Sequence, residues 1–151
     1  MFSLNTSFSG KSEGALSMVG CVLQVSGVDF EPQSFLAGSS FKPCNVFQKG
    51  ERRYKSSSVW SSSGFAVVVS DEDGTDLESQ VDDAVKFLRR NQQELTRLQR
   101  YEGVTDIRLE FCVYRLLKFV QSSYLPPELL VVAGFLRVGI EISIYDDDSP
   151  L

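Results

Sequence analysis

From Leu77 to Tyr101 the apolar residues Leu77, Val81, Ala84, Leu88, Leu95 and Leu98 recur at spacings of three and four around Asn91. That is the period of a helix with one buried side. A stripe this long must be covered by another surface, and the next segment has the right pattern to supply it. Thr105 to Tyr114 alternates, with Ile107, Leu109, Phe111 and Val113 to one side and Arg108, Glu110, Cys112 and Tyr114 to the other. This is the period of a strand with one partly solvated face. A helical stripe followed by a strand pattern predicts helices laid on a sheet, the α+β class. Thr75 and Glu78 have capping-box spacing at the start of the long helix. Its acids Asp76, Glu78, Asp82 and Asp83 come early and its bases Lys86, Arg89, Arg90, Arg97 and Arg100 late. The helix dipole accounts for that order, and so for the basic cluster, without any ligand. Asn91 on the stripe is either a hydrogen-bonded amide that sets packing register or the point where the stripe drifts toward solvent.

The flanking segments complete the pattern. Val19 to Ser26 alternates as a strand half-buried through Val19, Cys21, Leu23 and Val25. Asp29 is placed to cap a short helix through Ala37, with Pro32 in its first turn and Phe30, Phe35 and Leu36 on the sheet. Phe41 to Tyr54, with Pro43 and a Lys49-Gly50-Glu51 turn, suits a hairpin or a kinked edge strand. Phe65 to Val69 is a buried strand, broken by Asp71-Glu72-Asp73-Gly74. Pro126 and Pro127 open a helix that turns Leu129, Leu130, Ala133 and Leu136 to the core. Gly139 then releases a last strand with Ile140, Ile142 and Ile144 on one side. The expected order is strand, helix, two strands, long helix, strand, helix, strand: a mostly antiparallel sheet with helices packed on one face. It is a split βαβ, ferredoxin-like core with an added helix and strand. At 151 residues the chain suits one core. Residues 1–18 are expected to be a mobile tail, 19–146 the single domain and 147–151 an acidic tail. No apolar run approaches the roughly 18 residues of a membrane span, so no membrane partner is expected.

Composition narrows the chemistry. Twenty acids against fifteen bases give a net charge of -5, which disfavours bulk phosphate-backbone binding and leaves basic partners open. Histidine is absent, which removes the commonest general base, nucleophile activator and zinc ligand. Cys21, Cys44 and Cys112 are odd in number and widely spaced, so neither a disulfide framework nor a zinc site is suggested, and a reducing compartment is the simpler expectation. Cys21 and Cys44 suit a core, whereas Cys112 falls on the more polar side of its strand, where Arg108 could approach it. No Gly-x-Ser-x-Gly elbow or phosphate loop occurs. The run Asp71 to Gly74 would need a carboxylate at Val69 and a Glu at Gln80 to be a calcium loop, so a solvated turn is expected. No catalytic residue, metal or cofactor is assigned.

One segment runs against the overall acidity. Lys42, Lys49, Arg52, Arg53 and Lys55 oppose only Glu51, with Phe47, Tyr54 and Trp60 interleaved. Cations of this kind protect an edge strand from unwanted pairing, or they hold phosphates while aromatic rings stack bases. Lys49, Glu51, Arg52, Arg53, Tyr54 and Trp60 are the expected binding residues if the segment is a site.

The stretch Ser26-Gly27-Val28-Asp29-Phe30-Glu31-Pro32, then Lys42-Pro43, Lys49-Gly50-Glu51 and Trp60, together with the ending Ile142-Ser143-Ile144-Tyr145-Asp146, resembles a bacterial family of small proteins known only as domain of unknown function 4279. The resemblance covers roughly positions 19 to 146. It implies a bacterial, cytoplasmic, stand-alone domain and brings no catalytic residue with it. The leading expectation is a non-enzymatic protein-binding role through one sheet face or the edge from Lys49 to Trp60. A toxin-neutralising immunity protein, small and acidic, is its specific form. A binder of nucleic acid or a small anion through Lys42 to Lys55 is the alternative, and a carboxylate- or thiol-dependent enzyme the third reading. Oligomeric state is open.

Overall fold

A computed structural model describes residues 20–146; the expected tails at 1–18 and 147–151 lie outside them. The elements run β1 (Cys21–Gly27), α1 (Pro32–Ala37), β2 (Asn45–Phe47), β3 (Ser63–Ser70), α2 (Leu77–Arg90), α3 (Gln92–Gln99), β4 (Asp106–Tyr114), α4 (Pro127–Phe135) and β5 (Gly139–Tyr145). The five strands form one sheet in the order β2-β3-β1-β4-β5. β3 separates β1 from β2, and β1 separates β3 from β4, so the β1-α1-β2 unit and the unit from β3 through α2 and α3 to β4 are each split by an inserted strand, as expected, whereas β4-α4-β5 is not. The pairs β2–β3, β3–β1 and β1–β4 are antiparallel, whereas β4–β5 is parallel. A parallel neighbour needs a crossover, and α4 is that crossover.

The core lies between the helices and one face of the sheet. Leu23, Val25, Phe65, Ile107, Leu109 and Phe111 meet Val81, Ala84, Leu88, Leu95, Leu98, Leu129 and Ala133 there. At the α1 end, Phe35 stacks on Phe65 with ring centroids 5.8 Å apart and meets Tyr101 edge-on at 5.2 Å. Arg97 closes that corner with its guanidinium 4.0 Å from the Phe35 ring centroid, and it pairs with Glu94 at 2.7 Å.

Several local expectations are corrected. The long helix is two, because Asn91 (φ -109°, ψ 23°) leaves helical geometry while its side chain donates to the Phe87 carbonyl at 2.8 Å. The amide thus satisfies the end of α2 and permits the bend, and Leu95 and Leu98 of α3 stay in the core. The cap of α2 is Asp76, which accepts from the Ser79 amide at 3.0 Å, and Thr75 instead bonds to Asp73. Glu31, not Asp29, precedes α1, with Pro32 in the first turn and no side-chain cap. Leu130 is exposed: Leu129, Val132, Ala133 and Leu136 form the i, i+3, i+4, i+7 stripe, and Leu130 falls off it.

β1 is buried on both faces rather than half-buried, since Val22 and Gln24 are as covered as Leu23. On β4, Glu110 and Cys112 are likewise buried, against the expectation of a partly solvated side. Both strands lie inside the sheet, so strand neighbours flank each side chain even on the helix-free face. Cys44, expected in the core, is the exposed thiol, and Cys112 is buried. Among the described residues no helix is long and apolar enough to cross a membrane.

Candidate functional site

The strand register divides the sheet into two ends of opposite character. Gly27 pairs with Ser63 at one end, and Cys21 pairs with Ser70 and Phe111 at the other. The first end carries the basic segment. Residues 49–60 fold back as a small hairpin through Gly50 N to Trp60 O (2.8 Å), Trp60 N to Glu51 O (2.9 Å) and Arg53 N to Ser58 O (3.0 Å). Phe47, buried at the end of β2, stacks on Trp60 with centroids 4.1 Å apart, and the Arg53 guanidinium lies 4.3 Å from the same ring. Two groups this near one centroid must occupy opposite faces of the ring. Both faces of Trp60 are therefore taken by the protein itself, and a base could stack there only by displacing one of them. Lys55, with a left-handed φ of 53°, turns the tip and approaches the exposed Tyr54 ring at 5.3 Å.

All six residues expected to bind lie within this one hairpin. Lys49 joins it through its amide, which donates to Ser63 Oγ at 2.9 Å. The exposed Glu51 carboxylate accepts from the Gln48 amide at 3.2 Å. Among the described residues Lys42, Lys49, Arg52, Arg53 and Lys55 make no ion pair.

The opposite end is acidic. Asp71, Glu72, Asp73, Asp76, Glu78, Asp82 and Asp83 fall within the turn after β3 and the first turns of α2, with no Lys or Arg among them. None of them forms an ion pair among the described residues. The turn is held firmly. Fully buried Gln80 donates to the carbonyls of both Asp73 and Cys112 at 2.8 Å, and the Tyr114 amide donates to Gly74 O at 2.9 Å. A Cβ on Gly74 would meet the Tyr114 amide nitrogen at 2.9 Å, and one on Gly20 would meet Glu72 O at 1.9 Å. Only glycine allows these backbones so close. Hydrogen bonds from Thr75 and from the Ser79 amide hold Asp73 and Asp76 below the ordinary carboxylate range. These seven acids share the end with the 115–125 connection, in which Leu117 and Phe119 are fully exposed and Val120 and Tyr124 largely so. Gln121 pins that loop by donating to Tyr114 O at 2.8 Å and accepting from the Leu116 amide at 3.0 Å.

A third cluster lies on the helix-free face. Gln24 Nε2 donates to one oxygen of Glu110, and Ser143 Oγ donates to the other at 2.6 Å, with the Tyr145 hydroxyl at 3.4 Å. Beside it Arg108 pairs with Asp106 at 2.6 Å and with Glu141, so it is not the activator of Cys112 that the strand pattern allowed. Burial, with the nearby Glu141 charge, raises the Glu110 carboxyl. The same burial, with Glu110 second, pushes the Cys112 thiol up to about 11 and Tyr145 up to about 12. Thiolate chemistry at Cys112 is therefore disfavoured near neutral pH. Gln24 Oε1 is buried without a hydrogen-bond partner. Half a turn of that amide would present it to a protonated Glu110, so the pair can be satisfied in either protonation state. Among the described residues no three His, Cys, Asp or Glu side chains converge as a metal site.

Glu110, Gln24 and Ser143 escaped sequence reasoning because each alternates correctly for a strand, and only pairing across β1, β4 and β5 brings them together. The 115–125 loop was missed for another reason: Leu116, Leu117, Phe119 and Val120 have no periodicity, and an apolar run without a period gives no hint of exposure.

The chain matches the family described as Domain of unknown function (DUF4279) over residues 17–147, and it belongs to that family. No curated protein and no solved structure matches it.

Proposed function

We propose that this DUF4279 protein is a non-enzymatic, cytoplasmic bacterial interaction module that binds a basic protein partner at its acidic end, with an immunity protein that blocks a toxin as the specific form. The observation that carries the reading is the run of acids from Asp71 to Asp83, none of them in an ion pair among the described residues, at the same end of the sheet as the connection that carries the exposed Leu117 and Phe119. Acids steer a basic partner into encounter, and exposed apolar side chains held by Gln121 supply the area that desolvation rewards. The turn is preorganised, so little ordering cost opposes binding.

Affinity purification of the tagged chain from its native host tests this. One stoichiometric basic partner is expected, released by raised salt. It should be lost from Asp71→Asn/Glu72→Gln/Glu78→Gln and from Leu117→Ser/Phe119→Ser, and kept by Arg52→Ala/Arg53→Ala. Recovery of the chain alone, or a partner indifferent to both sets of changes at the acidic end, would sink the reading.

Lys42, Lys49, Arg52, Arg53 and Lys55, which make no ion pair among the described residues, favour a second reading, binding of nucleic acid or a small anion. It requires affinity for labelled single-stranded DNA that falls with salt and weakens in Arg52→Ala/Arg53→Ala; unchanged affinity in that variant would remove it.

A further inference from the structure

β5 is an outer strand, and among the described residues nothing pairs with its free side. It has none of the usual protections of such an edge. Seven residues long, Gly139–Tyr145 contains no Pro, Lys or Arg, and its one acid, Glu141, is neutralised by Arg108. Register with Leu109, Phe111 and Val113 places Ile140, Ile142 and Ile144 on the helix side, with Ile144 55% exposed. Above them α4 is apolar apart from Glu128 in its first turn, although a surface helix ordinarily has a polar outer face. Val131 is 71% and Phe135 78% exposed.

Two further observations say what covers this side. The first is the pattern Ile140-Glu141-Ile142-Ser143-Ile144, which reads nearly the same in both directions about Ile142. In an antiparallel pair, facing residues share a face. A two-fold axis at Ile142 would set Ile142 against Ile142 of a second copy, Ile140 against Ile144, and Glu141 against Ser143. Placing the axis at Glu141 would oppose two carboxylates, which like-charge repulsion disfavours. The strand is thus complementary to itself about Ile142. The second is Gly134. It lies on the exposed side of α4 with no positive φ, and a Cβ there would meet nothing within 4 Å. Nothing among the described residues of the protomer calls for glycine, the poorest helix former after proline. Glu128 faces α2 through its ion pair with Arg89, so Leu130, two residues on, faces the opposite, β5 side, with Gly134 one turn above it. A small residue there permits close approach of a second helix.

We infer that the β5 edge and the outer side of α4 form an isologous dimer interface with a second copy of this chain, β5 pairing antiparallel about Ile142 to make a continuous ten-stranded sheet with the two α4 helices side by side. Glycine at position 134 and isoleucine at 140, 142 and 144 are the residues that the association uses.

Sedimentation and light scattering of the full chain test it. The expected mass is twice the 16.8 kDa of the protomer. Gly134→Arg and Ile144→Asp, both at exposed positions, should each raise the dissociation constant at least about tenfold with the circular dichroism of the wild type. Ile142→Cys in a Cys44→Ser background should give a disulfide-linked dimer on mild oxidation. A wild-type mass of one protomer at every concentration would overturn the inference, whether the edge is then taken by another protein or by residues 1–18. So would a dimer that survives both substitutions, or a dimer in which Ile142→Cys does not cross-link. These residues are separate from the acidic turn, so failure here and failure of the partner reading are distinguishable.

Discussion

The two edges of this sheet are managed in opposite ways. β2 is three residues long, follows Pro43, and passes into a cation-bearing hairpin whose Arg53 lies over Trp60. β5 is seven residues long, carries three isoleucines, and lies under a helix whose outer side is apolar. A short, kinked, charged edge resists a second strand, whereas a long isoleucine edge with its one acid neutralised accepts one. Both edges belong to the same fold, so the difference is a property of the side chains and not of the topology. It separates the end that stays single from the side that takes a second copy.

The comparison is broken most directly at Phe47. If the β2 edge is sealed by its own residues, Phe47→Ala should destabilise the domain by about 3 kcal/mol in a denaturant titration. A loss below about 1 kcal/mol would mean that the hairpin is not tied to the sheet. Gly134→Ala tests the other side with the opposite sign. In dilute solution, where the protomer prevails, it should stabilise by up to about 1 kcal/mol, because helix propensity improves and nothing is crowded. A destabilised protomer would show that Gly134 serves the fold and not a second copy. Arg53→Ala should cost about 0.5 to 1 kcal/mol, the worth of a cation over an aromatic ring, and should redden the Trp60 emission as its face opens to water.

Between the edges, Glu110 gives a dependence on pH whose sign is determined. Its folded value lies above the ordinary 4.5, so the folded state holds the proton more tightly than the unfolded chain. The stability it contributes is complete below 4.5 and is lost as pH rises through the folded value. Denaturation midpoints measured upward from pH 4 should therefore contain a falling component that Glu110→Gln removes. An unchanged slope in that variant would assign the component to other groups.

Much of the fold was legible because period alone reveals it. The stripe of Leu77, Val81, Ala84 and Leu88 and the alternation from Ile107 to Val113 each name their element and their buried face. That helices cover one side of the sheet follows from these periods; the order of the strands within it does not. Boundaries and caps were less legible. Asn91 marked the right position, but whether a polar residue on a stripe bends a helix depends on the carbonyl its side chain reaches, here that of Phe87. Of the site, the basic hairpin could be read from charge and aromatic spacing. That Arg53 and Phe47 cover both faces of Trp60 could not, since contact across a hairpin has no signature in composition.

By itself, then, the sequence determined the class of the domain, the identity of most core residues and the poverty of ready chemistry in a chain without histidine. These are consequences of local period and of residue type. Only the tertiary structure decided that β1 and the Glu110 side of β4 are buried on both faces, that Cys112 rather than Cys44 is enclosed, and that β5 is left as an open edge beneath Gly134. Strand order and register are properties of residues far apart in the chain, and a strand has the same alternation whether its second face meets water, a polar network or another molecule.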